Sequence, residues 1–213
     1  YMGVFKPLKV VITNWDANFE DELEVINNPE DESMGYRKLI FTKEIFIEQD
    51  DFMENPPKKY FRLSLGNEVR LRYAYIIKCT DIIKNDKGEI VEIHCTYDPA
   101  TRGGNTPDGR KVKGTIHWVS SKYAIEAEAR LYDKLFSKAD PEDVEEGQDY
   151  KASINQNSLI VQKCLAEANV VDLNIGKQLQ FERVGYFAVD KDSTGDKLVF
   201  NRTVTLKDTY KPD

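Results

Sequence analysis

Tyr75-Ile76-Ile77-Lys78-Cys79-Thr80-Asp81-Ile82-Ile83, then Asn85-Asp86-Lys87-Gly88, then Ile90-Val91-Glu92-Ile93-His94-Cys95-Thr96-Tyr97 is the stretch that decides the architecture. Two runs rich in β-branched and aromatic residues around a turn containing glycine make a β-hairpin. The same texture continues on both sides. Leu8 to Trp15 opens the chain as a strand, and Arg37 to Phe41 and Glu44 to Ile47 follow, separated by Thr42-Lys43. Between Ala124 and Phe136 the alanine, glutamate and leucine content favours helix. Yet Ile125, Ala127, Ala129 and Leu131 alternate with Glu126, Glu128, Arg130 and Tyr132, and that period of two selects a strand. Helices are expected to be few: short turns near residues 48–53 and 141–146, with residues 159–167 able to form either helix or strand.

Just before the hairpin lies Tyr60-Phe61-Arg62-Leu63-Ser64-Leu65-Gly66-Asn67-Glu68-Val69-Arg70-Leu71-Arg72-Tyr73. It is expected to form two short strands joined at Gly66-Asn67. Arg70 and Arg72, two apart, then share one face, with Val69, Leu71 and Tyr73 on the other. A planar guanidinium can bond two acceptors on one base edge, and guanine's O6 and N7 match it best. An isolated Arg-x-Arg more often marks a solvated strand face, so the arginines need further support.

At 213 residues and 40% hydrophobic content the chain can bury a substantial core. Its 11 tyrosines and 10 phenylalanines suit strands. Cys79, Cys95 and Cys164 match no metal spacing and favour a reducing, cytoplasmic setting with buried thiols. No apolar run approaches a membrane span, so no membrane contact is expected. The net charge of −7 argues against a coater of nucleic acid, though not against local positive pockets that read a few bases.

Signatures of catalysis are missing from the sequence: no glycine-rich phosphate cradle, no nucleophile elbow, no His-Glu-x-x-His. His117 beside Trp118 reads as a packed residue, and Glu126 with Glu128 as an acidic strand face. Neither a catalytic residue nor a metal ligand is therefore assigned. Asn55-Pro56-Pro57 cannot lie inside a central strand, and residues 138–149 form an acidic stretch without apolar periodicity. These interruptions suggest one barrel over residues 58–137, inserted into another built from 1–57 and 138–213. The expected fold class is mainly β, with two β-barrels, one inserted in the other, and few short helices.

Several segments then carry a resemblance. They are Met34-Gly35, Arg62-Leu63, Leu71-Arg72, Cys95-Thr96-Tyr97-Asp98, and the run Asp108-Gly109-Arg110-Lys111-Val112-Lys113-Gly114-Thr115-Ile116-His117-Trp118-Val119-Ser120. Arg130-Leu131-Tyr132-Asp133-Lys134-Leu135-Phe136, Gln180-Phe181-Glu182-Arg183-Val184-Gly185-Tyr186-Phe187 and Phe200-Asn201-Arg202-Thr203-Val204 complete the series. In this order and spacing the chain resembles the C-terminal anticodon-binding region of the glutaminyl-tRNA synthetases. The resemblance spans essentially the whole chain. The run from Gly109 to Ser120 and the Phe-Asn-Arg-Thr-Val ending are its most specific parts.

The resemblance implies two β-barrels packed end to end. It also implies that the class I catalytic domain, with its ATP and Mg²⁺, is absent from this chain. Val119-Ser120-Ser121-Lys122 only faintly echoes a class I signature, within a β pattern. The implied partners are the anticodon loop of glutamine tRNA and the enzyme's own catalytic domain; a monomer is expected. Within the family, an arginine matching Arg62 reads the last anticodon base, a guanine. Arginines matching Arg70 and Arg72 line the pocket for the first base. Gln180 and Arg183 match contacts to the middle uracil, and Lys58 and Lys59 fall where basic or polar residues approach the backbone.

There are departures. A further family arginine for the middle base precedes the position matching Tyr1, so weaker reading of that base is expected. Phe61 stands where some relatives have lysine, and either stacks on a base or packs inward. The alternatives are the anticodon-binding region of a eukaryote-like or archaeal glutamyl-tRNA synthetase, a stand-alone RNA-binding barrel, and a β interaction protein without an RNA ligand.

Overall fold

A computed structural model describes residues 1–206. The chain is mainly β and divides into two compact units. The first comprises residues 1–125 with 164–172, the second 126–163 with the remainder from 173. Each is organised on a curled half-barrel sheet.

In the first unit, β1 (Gly3–Val4), β2 (Pro7–Ile12), β3 (Asp21–Ile26), β4 (Tyr36–Phe41), β5 (Glu44–Glu48), β6 (Glu68–Leu71), β7 (Ile76–Lys84), β8 (Ile90–Tyr97), β9 (Thr115–Ile116) and β10 (Val119–Ser120) follow in chain order. Seven of these form one sheet in the order β10-β5-β2-β8-β7-β6-β9, and β3 pairs with β4 as a separate ribbon. Leu8, Val10 and Ile12 on β2, and Leu23 and Val25 on β3, are buried while their neighbours along the strand are not, as period-two strands require. The expected β7–β8 hairpin is present. Gly88 takes a left-handed φ of 79°, and Asn85 closes the turn by accepting from the Lys87 and Glu89 amides at 3.0 Å each. Trp15 anchors an aromatic cluster, with ring centroids 4.8 Å from Phe41 and 4.6 Å from Tyr97.

The second unit holds most of β11 (Ile125–Tyr132) and β12 (Leu159–Ala166), then β13 (Gln178–Phe181), β14 (Gly185–Val189) and β15 (Leu198–Thr205). Their order is β12-β11-β15-β14-β13. Phe181 packs against Phe187 and Phe200 at 5.0 and 5.2 Å between ring centroids, and Ala127 and Ala129 are buried.

Three expectations need correction. The division at 57/58 and 137/138 does not follow the units. β2 and β5, which precede Pro56, share a sheet with β8 and β10, which follow it. Pro56 and Pro57 therefore lie in a connection inside one unit, and residues 207–213 of the expected outer barrel lie outside the described residues. Secondly, residues 141–146 form turns rather than a helix. The single helical turn nearby is Tyr150–Ser153, capped by Asp149, whose carboxylate accepts from the Lys151 amide. Thirdly, β6 stops at Leu71 and Tyr73 takes a left-handed φ of 66°, so Tyr73 does not continue the face of Val69 and Leu71. The Arg70 and Arg72 amides still donate to one neighbouring segment, to the Gly114 and Ile116 carbonyls at 2.9 Å each, with Val69 and Leu71 buried and both arginines half-buried. Residues 159–167, left open by sequence, are mostly strand β12. Cys79, Cys95 and Cys164 are buried free thiols. No helix of the described residues is long and apolar enough to cross a membrane.

Candidate nucleic-acid interface

Within the first unit, a cleft of about 490 Å³ opens between the segment before β6 and the loop before β9. Tyr60, Phe61 and Arg62 form one side, Lys111, Lys113 and Gly114 another, and Lys78 of β7 and Glu68 of β6 complete it. Arg62 is 46% exposed at the side chain, and its Nη1 lies 3.2 Å from Asp51 Oδ1, on a side chain only 1% exposed. The same Nη1 donates to the Asp50 carbonyl at 3.0 Å. One corner of the guanidinium is thus fixed to the Gln49–Asp51 turn while the side chain borders the cleft.

A second arginine organises the cleft from behind. Arg110 Nε is 3.1 Å from Glu68 Oε2, and its two terminal nitrogens are 2.6 Å from Asp98 and Asp108. The hydrogen bond to Asp98, then that to Asp108, raises the Arg110 pKa above its ordinary value, so it stays charged. Among the described residues Glu68 is the one acid lining the cleft, and Arg110 partly neutralises it. Lys78, Lys111 and Lys113 form no ion pair with a described carboxylate. The cleft is therefore cationic although the chain is acidic overall, which suits a polyanion read locally.

The remaining expected residues are placed differently. Arg70 Nε donates to the Gly104 carbonyl, and its Nη1 reaches the Val112 carbonyl at 3.4 Å, so this arginine engages the 99–114 segment. Arg72 sits in the turn after β6, its guanidinium carbon 4.7 Å above the Tyr73 ring, and its carbonyl accepts from Trp118 Nε1 at 3.0 Å. Neither lines the cleft that holds Arg62. Lys58 and Lys59 occupy an exposed turn shortly before it.

In the second unit, Gln180 is exposed on β13 opposite Tyr186 of β14, and Arg183 is exposed in the turn between those strands. Arg183, Lys59 and Tyr73 are the non-glycine residues with left-handed backbone among the described residues, at φ 65°, 74° and 66°. Two are expected contact residues and the third adjoins Arg72. Such conformations cost about 1–2 kcal/mol in L-residues and persist where function or packing requires them.

Three residues set aside as non-catalytic have structural surroundings. His117 is buried, with Nε2 3.6 Å from Glu48 Oε1. Glu126 pairs with Lys163 at 2.7 Å, and Glu128 pairs with Arg130 at 2.9 Å and Lys197 at 2.8 Å. Sequence reasoning missed Lys78, Lys111, Lys113 and the Arg110 clasp. The alternation Lys111-Val112-Lys113 was a usable signal, since it sends both lysines to one side of an extended segment.

Comparison with known proteins gives a consistent picture. Family models described as "tRNA synthetases class I (E and Q), anti-codon binding domain" match residues 1–98 and residues 115–190. The glutamine–tRNA ligase of Bradyrhizobium diazoefficiens is 56% identical over 210 residues, covering 98% of this chain and 37% of the relative. That of Nitrobacter winogradskyi is 52% identical, with the same coverage of both. That of Clostridium kluyveri is 49% identical, covering 99% of this chain and 38% of the relative. The chain thus spans a little over a third of the length of these relatives.

Proposed function

Because the chain belongs to the anticodon-binding domains of the class I (E and Q) tRNA synthetases, we propose that it reads the anticodon of glutamine tRNA for a glutamine–tRNA ligase. The observation that carries this reading is Arg62, tethered by a buried aspartate at the edge of a cationic cleft. Glutamine anticodons end in G, and glutamate anticodons end in C. A tethered guanidinium can donate to guanine O6 and N7, whereas cytosine presents an amino donor in the corresponding region and repels it. Loop bases of RNA can be splayed out and read singly. Arg70 and Arg72 would serve the first base. Gln180 and Arg183 would serve the middle uracil, whose two carbonyls and one N–H suit an amide beside a cation. Lys58 and Lys59 would approach the backbone.

The chain contributes recognition, and glutamine, ATP and Mg²⁺ would be handled by the remainder of the longer protein. Among the described residues no three His, Cys, Asp or Glu side chains converge as metal ligands. A cytoplasmic monomer is the setting this reading favours, and the three buried free thiols support a reducing compartment.

The test is Arg62→Ala in the full-length protein, with affinity measured for a glutamine tRNA transcript and for the same transcript with C as its last anticodon base. Discrimination should fall by about 1–3 kcal/mol. Retention of full discrimination would reject the assignment. A uniform loss on both transcripts, with a shallower salt dependence, would make Arg62 a phosphate contact instead. Because the family covers both E and Q enzymes, a wild-type preference for C would select the glutamate alternative.

A further inference from the structure

Phe61 is 51% exposed and lies on the wall of the cleft beside Arg62. Large aromatics normally find cover, and here the cover is a cation: Lys113 Nζ sits 4.7 Å from the Phe61 ring centroid. The backbone builds this pairing. A Cβ on Gly114 would overlap the Phe61 carbonyl oxygen, so only glycine lets the two segments approach this closely. The Gly114 carbonyl in turn accepts from the Arg70 amide at 2.9 Å, which fixes the approach to β6.

We infer that Phe61 is the stacking surface for the base whose edge Arg62 reads, and that Lys113 leaves the ring for that nucleotide's phosphate. The inference rests on the anticodon reading above and extends it to the base's face and its backbone. An aromatic face accepts any base, so it supplies affinity without choosing sequence, and the guanidinium at the edge supplies the choice. The ammonium keeps the ring covered in the free protein at little cost, since an exposed cation–π contact is weak. Once moved to the phosphate it adds a charge contact whose strength depends on salt.

Three measurements on the full-length protein separate these roles. Phe61→Leu should weaken binding on the order of tenfold for transcripts ending in G and in C alike, with an unchanged salt slope. Lys113→Gln should lower the slope of log affinity against log salt by about 0.7, the single-strand value for one phosphate contact. Phe61→Trp should bind at least as well as wild type, and its new exposed indole should be quenched by transcript, whereas Trp15 and Trp118 are buried. This last variant keeps the ring and serves as the deciding measurement if Phe61→Leu folds poorly. Unchanged affinity in Phe61→Leu, or no quenching in Phe61→Trp, overturns the inference. If wild type still prefers G over C in that case, the anticodon reading stands alone; if wild type shows no preference, both fall.

Discussion

Arg37 and Glu167, 130 residues apart, form a two-point ion pair, with Nε to Oε1 at 2.6 Å and Nη2 to Oε2 at 3.1 Å. Their side chains are only 6% and 3% exposed. The Met2 amide also donates to Glu167 Oε2, at 2.8 Å. The pair explains how the first unit holds the segment that returns to it through the end of β12. Arg37 on β4 and the amide next to β1 both close on the residue that follows Ala166. Removing one member of a buried pair leaves the other charge uncompensated, at about 3–5 kcal/mol. Glu167→Ala should therefore lower stability by that order in urea unfolding. A loss under about 1 kcal/mol would mean that water reaches the site and screens it as it does a surface pair.

Gly114→Ala tests the close approach that builds the cleft. The added methyl meets the Phe61 backbone, and a backbone atom cannot step aside as a flexible side-chain end can. Overpacking of this kind costs about 1–3 kcal/mol. The unfolding midpoint should fall accordingly. Among molecules still folded, transcript affinity should drop as Lys113 and Phe61 separate. Wild-type stability together with wild-type affinity would show that the loop has room to shift.

Much of this was legible from short-range pattern. The hairpin of β7 and β8 announces itself through Asn85 and Gly88, and β11 through Ala127 and Ala129 alternating with charged neighbours. Long-range pairing carries no such mark. β2 with β8, β6 with β9, and β11 with β15 are parallel pairs between distant segments, and β1, β9 and β10 are two residues long. Pro56-Pro57 consequently read as a boundary, when only the β2 and β5 pairings reveal the shared sheet. In the same way Tyr73 gives no hint of its left-handed backbone, so it read as the continuation of a strand that ends at Leu71. Phe61 and Lys113 lie 52 positions apart, beyond the reach of any local pattern.

Acid stability should depend on Asp21. Burial alone would raise its pKa. Hydrogen bonds from Arg102, with both oxygens contacted at 2.9 Å, and from the Tyr75 hydroxyl at 2.6 Å outweigh that and hold it below the ordinary aspartate value. A depressed carboxyl contributes stability that is present above its unfolded pKa, about 3.9, and is lost as pH falls through the lower folded value. Asp21→Asn should flatten the acid limb of stability below about pH 4. The same contact acts oppositely on Tyr75, whose phenol is raised by burial and then by Asp21. Its contribution is full below about pH 10 and is lost as pH rises through the folded value, so Tyr75→Phe should flatten the alkaline limb. Urea midpoints from pH 2 to pH 11 give both slopes, and limbs that match wild type would exclude this pair as their source.

Left-handed backbone at Lys59 predicts that stability and binding can be moved in opposite directions. The Lys59 side chain is exposed, so glycine there forfeits little packing. Glycine relieves about 1–2 kcal/mol of left-handed strain, while its freer unfolded chain returns roughly 0.5–1 kcal/mol. Lys59→Gly should leave stability unchanged or raise it by up to about 1 kcal/mol. If Lys59 and Arg183 contact RNA, affinity should fall in Lys59→Gly and in Arg183→Gly for different reasons. Lys59→Gly removes a backbone charge and should weaken all transcripts with a shallower salt slope. Arg183→Gly should weaken reading of the middle anticodon base, most visibly when U is compared with C at that position. Unfolding midpoints beside transcript affinities decide the matter: loss of stability in Lys59→Gly, or wild-type affinity in either variant, would show that the turn concerned is held this way by packing and not for recognition.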